Sequence, residues 1–95
     1  MWEGVTYVEP SRRPVIHEGS AAHAVVTNAG PAAVDLCVWD ERTSDRERQP
    51  TFKMMMPAGN TRSVSGPMIA VTLSEKQPGP SQYFSFAAVG WRMVG

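Results

Sequence analysis

HAVVTNAGPAAVDLCVW, residues 23–39, is the stretch on which the fold class turns. Two runs rich in apolar and β-branched residues flank Asn28, Ala29, Gly30 and Pro31, a cluster rich in residues that tolerate or impose turn geometry. The pattern predicts a hairpin. On its second run Val34, Leu36 and Val38 fall on one face and Asp35, Cys37 and Trp39 on the other, because successive strand residues point to opposite sides. The aliphatic set is expected to face the core.

The same punctuation extends in both directions. Toward the C-terminus, TFKMMMPAGNTRSVS (residues 51–65) gives another strand, turn and strand around Pro57, Ala58, Gly59 and Asn60. Its methionine run should place one or two residues inward and leave the rest as ordinary surface or as an adaptable apolar contact. After Gly66 and Pro67 a separate strand is expected in MIAVTLS, where Ile69, Val71 and Leu73 alternate with Ala70 and Thr72. Residues 75–81, EKQPGPS, form a loop by composition. QYFSFAAVGWRMV supplies the last strand or pair, with Phe84, Phe86 and Ala88 on one face and Gly90 at a bulge or bend.

Toward the N-terminus, residues 2–8 make a strand or extended arm. Pro10, Arg12, Arg13 and Pro14 follow, a segment that resists helix and central-strand hydrogen bonding. A short extended piece at Val15, Ile16 and His17 is expected to end at Gly19 and Ser20. Residues 40–50, DERTSDRERQP, are polar and mixed in sign, and read as a long solvent-exposed loop and the best candidate functional loop. About seven or eight short strands predict an all-β antiparallel sandwich, ahead of a small barrel. Residues 1–14 are an extended N-terminal arm or edge strand, and residues 15–95 a single sandwich domain.

With 95 residues the chain has room for one core, and 42% hydrophobic against 19% charged residues is the composition of a packed domain. Nine basic residues balance nine acidic ones, so no net field draws the chain to nucleic acid or to an anionic membrane. Neither partner is expected. Cys37 is the only cysteine, which excludes an intrachain disulfide and multi-cysteine zinc sites. The start lacks the basic and then apolar stretches of a secretory signal, and no run approaches the roughly 20 apolar residues of a membrane span, so a soluble protein made in the cytosol is expected.

Phosphate-loop, dinucleotide, zincin and nucleophile-elbow motifs are all missing, and nothing in the spacing of His17 and His23 selects a serine and a carboxylate for a triad. His17, His23, Cys37 and the methionines are ligand types of a copper centre. Their order departs from that of cupredoxins, which cluster Cys, His and Met in one late loop after an earlier His; here both histidines precede the cysteine. The expectation is a chain with no catalytic residues, metal or cofactor. The candidate partner-binding residues are Trp2, Tyr7, Arg12, Arg13, Arg42, Arg46, Arg48, Met55 and Trp91. The aromatic side chains and Met55 offer adaptable apolar area, and the arginines can grip carboxylates of a neighbour.

AVVTNAGPAAVDLCVW followed by PAGNTRSVSGPMIAVTLS, within residues 21–74, resembles in cadence the small Ig-like or jelly-roll-like sandwiches that serve as accessory proteins of tailed-bacteriophage virions. The resemblance implies a head decoration or cement protein, assembled in the host cytoplasm, that binds the major capsid protein lattice and stabilises the shell. Self-association is compatible with such a role. Two alternatives stand beside it: a carbohydrate-binding or adhesion sandwich using Trp39, Trp91 or Tyr83 as stacking platforms, and a small metal-binding protein using His17, His23 or Cys37.

Overall fold

A computed structural model describes residues 1–41 and 49–94, apart from the side chain of Ser81. Six strands are formed: β1 (Gly4–Val8), β2 (Val15–Pro31), β3 (Val34–Trp39), β4 (Phe52–Met56), β5 (Thr61–Leu73) and β6 (Ala87–Val94). A single 3-10 turn, Ser81–Tyr83, is the only helical piece among the described residues. All strand pairs are antiparallel and form one open sheet in the order β1-β6-β2-β5-β3-β4.

The all-β expectation holds, but six strands in one sheet replace the seven or eight short strands expected in two. The difference lies in β2 and β5, each of which runs through a break where the sequence predicts two strands. They pair along residues 15–18 with 68–70, and again along 22–27 with 61–66. Between these stretches Gly19, Ser20 and Ala21 stand opposite Pro67 alone. Extra residues on one strand bend a ladder, and a proline is tolerated inside a strand where the ladder is already interrupted. Gly19 takes a φ of 148°, in the region that favours glycine. Gly66 and Pro67 therefore bend β5 without ending it, and Gly19 and Ser20 do the same for β2.

One core draws on both halves of the sheet. Val8, Ala24, Val26, Val64, Ala87 and Val89 from one half share a core with Val34, Leu36, Val38, Met56, Ile69 and Val71 from the other. The inward phase of β5 changes at the bend: Val64 faces the core before it, and Ile69 and Val71 after it. Met68 joins Cys37, Trp39 and Ala70 in a small second cluster on the opposite face of the sheet, with Val15 against it. Of the methionine run, Met56 is buried, Met54 half-buried and Met55 exposed.

The expected hairpin at residues 23–39 is not formed. β2 and β3 are separated by β5, and β2 continues through the proposed turn to Pro31, with its end paired to β6. Asn28 is the reason. Its buried amide nitrogen donates to the carbonyls of Ala32 and Met56 at 2.9 Å, and its Oδ1 accepts from the Gly30 amide at 2.8 Å. Its main chain exchanges two further bonds with the 57–60 turn, Asn28 N–H to Asn60 O and Gly59 N–H to Asn28 O. The residues that looked like a two-strand turn instead tie together the ends of β2 and β4.

Gln77 makes the corresponding tie beneath β5. Its side chain exchanges bonds with both main-chain groups of Ala33 and donates to the Ser74 carbonyl. The connection from β5 to β6 is thereby tied to the residue before β3, and Phe84 packs against the core. Phe84, Phe86 and Ala88 do not share a face: Phe84 turns to the core, Phe86 is exposed, and both precede β6. Gly90 is likewise no bulge, since the β1–β6 register runs through it without a break.

Candidate interaction surface

Exposed apolar side chains gather on and beside β1, at Trp2, Val5, Tyr7 and Phe86. Val5 pairs with Gly90 and Tyr7 with Ala88, so these residues lie on the outer face, opposite Val8 and Val89 in the core. Two glycines shape the pair. A Cβ on Gly90 would collide with the Trp2 ring, and one on Gly4 with the Trp91 ring, so each indole occupies the space left by a strand position without a side chain. Trp2 covers the outer face and remains 43% exposed. Val5 and Tyr7 beside it are 52% and 59% exposed, and Phe86 lies tilted against Tyr7 with 6.5 Å between ring centroids.

Trp2, Val5, Tyr7 and Phe86 thus form one apolar surface along the β1 edge. Single exposed apolar residues are ordinary, whereas a contiguous group containing three aromatic rings is the kind of surface found at contacts. Of the expected binding residues, the structure brings Trp2 and Tyr7 together here. Val5 and Phe86 were missed; alternation from Val8 alone would have placed Val5 outward, while Phe86 needed the β5–β6 connection to be known.

The remaining candidates lie elsewhere. Trp91 packs against the core on the other side of the β1–β6 pair from Trp2. Arg12 makes an exposed ion pair with Glu9 at 3.5 Å, of a kind worth little. Arg13 and Met55 border an open depression of about 490 Å³ with Asp35, Lys53, Thr72 and Lys76, at the opposite side of the sheet from β1. Arg42, Arg46 and Arg48, with most of the expected charged loop, lie outside the described residues.

No family model, curated protein or solved structure matches this chain. Local chemistry therefore has to be weighed on its own geometry. His17 bonds to the Ser20 carbonyl at 2.6 Å and His23 to the Ser63 hydroxyl at 3.0 Å. Among the described residues no three His, Cys, Asp or Glu side chains are grouped as metal ligands would be. Trp39 is buried, which removes it as a sugar-stacking platform, while Tyr83 is exposed beyond the end of the sheet.

Burial pushes the Cys37 thiol up from its ordinary value; Asp35 adds to the shift, and Lys53 and Arg13 offset part of it. The folded chain thus holds this proton more tightly than the unfolded one. The resulting contribution to stability is present through neutral pH and is lost only as alkaline pH rises past the ordinary thiol value. Cys37 is expected to resist an aromatic disulfide reagent at pH 8 and to react in urea. Rapid labelling of the folded protein would contradict this environment.

Proposed function

We propose that this chain is a non-enzymatic structural protein that docks on a repeating protein surface, as a decoration or cement protein on the major capsid protein lattice of a tailed-phage head. The observation that carries the docking role is the exposed group of Trp2, Val5, Tyr7 and Phe86 beside the open edge of β1. The phage setting comes from the strand cadence of residues 21–74. An Ig-like or jelly-roll-like sandwich belongs with this reading, the bent β2–β5 ribbon then serving both layers.

Apolar burial along β1 would provide affinity, and the arginine-bearing N-terminal and 40–50 segments would set orientation through carboxylates on the partner. Many copies on one lattice would strengthen shells even with weak single contacts. The test is gradient sedimentation of particles from cells carrying the gene. The chain is expected to travel with intact shells in a fixed ratio to the main shell protein and to raise their disruption temperature. Recovery only in the slow, unassembled fractions would refute the role.

A further inference from the structure

The sheet has two open edges, and they are protected differently. On β4, Lys53 stands within the strand and Pro50 and Pro57 lie outside its ends, devices that discourage pairing with another strand. β1 reads GVTYV and contains neither charge nor proline. Its flanks are acidic, with Glu3 before it and Glu9 after it. At alternate positions the sequence runs Glu3, Val5, Tyr7, Glu9: acidic, apolar, apolar, acidic, with both glutamates just outside the strand.

This order disfavours a second copy of the chain as the occupant. Antiparallel self-pairing over the whole strand, centred on Thr6, would set Glu3 of each copy opposite Glu9 of the other; parallel in-register pairing would set each glutamate opposite itself. Like charges directly opposed across a strand pair are destabilising. The Arg12–Glu9 contact neutralises only one of these carboxylates, and at 3.5 Å between exposed groups only weakly.

We infer that the β1 edge accepts an extended segment of a different protein by strand addition, and that this segment carries two apolar residues on one face between two flanking basic residues. Main-chain bonds to the open edge supply the binding, Val5 and Tyr7 meet the apolar pair, and Glu3 and Glu9 meet the basic flanks. The inference rests on the docking role proposed above and names its partner.

The probe is a synthetic peptide, acetyl-Lys-Thr-Val-Thr-Val-Thr-Lys-amide, titrated into the isotope-labelled full chain at low salt, with a second peptide in which both lysines are glutamates. The lysine peptide is expected to bind about tenfold more tightly, to lose much of that advantage at high salt, and to shift the amides of β1. The double variant Val5→Lys and Tyr7→Lys, altered only at exposed side chains, should keep its spectrum and lose the binding. Equal binding of the two peptides, binding of neither, shifts at β4, or dimerisation of the chain through β1 would overturn the inference. Particle association without peptide binding would remove strand addition and leave the docking role; peptide binding without particle association would do the reverse.

Discussion

Asn28→Leu is expected to lower the unfolding free energy by about 3–5 kcal/mol and the melting temperature by roughly 15–30 °C. The buried side chain satisfies the carbonyls of Ala32 and Met56 and the amide of Gly30 at once. A leucine fills similar space but leaves these three main-chain groups without their partner, at about 1–3 kcal/mol for each that stays buried. Asn28→Asp separates hydrogen bonding from shape. It keeps an acceptor for Gly30 but directs a carboxylate oxygen at two carbonyls, so its instability should ease as acid protonates the group and restores a donor. Urea and thermal melts followed by circular dichroism measure both variants. A loss of only a few degrees for Asn28→Leu would show that the tie between β2 and β4 is dispensable.

Gly66→Val is the second large effect, expected at about 3 kcal/mol of lost stability. A Cβ at this position would stand 2.8 Å from Cγ1 of Val38 and 3.1 Å from the carbonyl oxygen of Trp39. The Val38 side chain can turn away at some cost to the core, but the carbonyl belongs to the β3 main chain. A branched side chain therefore has to push β5 away from β3 beside the interruption in the β2–β5 ladder. Gly59→Ala makes a useful contrast, because no atom lies within 4 Å of a Cβ there and only the positive φ of 90° opposes it. Gly66→Val should lose clearly more stability than Gly59→Ala in the same urea series; equal losses would place the constraint in the backbone angle and not in the crossing.

The strand content was legible because alternation is local. Val34, Leu36 and Val38 face the core as their spacing predicts, and so do Ile69 and Val71. Pairing was not legible, because it is decided over long separations. Asn28, Gly30 and Pro31 have the composition of a hairpin turn, yet the Asn28 side chain finds its partner at Met56, 28 residues away. Gly66 and Pro67 look like a strand boundary because the inward phase changes there; a bend produces the same change without ending the strand. On the interaction surface, Trp2 and Tyr7 were visible as residue types. Their assembly with Val5 and Phe86 depends on the β1–β6 register and on a glycine, Gly90, that leaves room for an indole.

Docking through β1 is the central claim, and a cryo-electron microscopy map of the chain in its native assembly tests it most directly. The map is expected to show repeated copies of the folded sheet on a shell, with a shell-protein segment extended along Gly4–Val8 and the rings of Trp2, Tyr7 and Phe86 covered. Shells devoid of the chain, or copies attached with the β1 edge facing solvent, would contradict it.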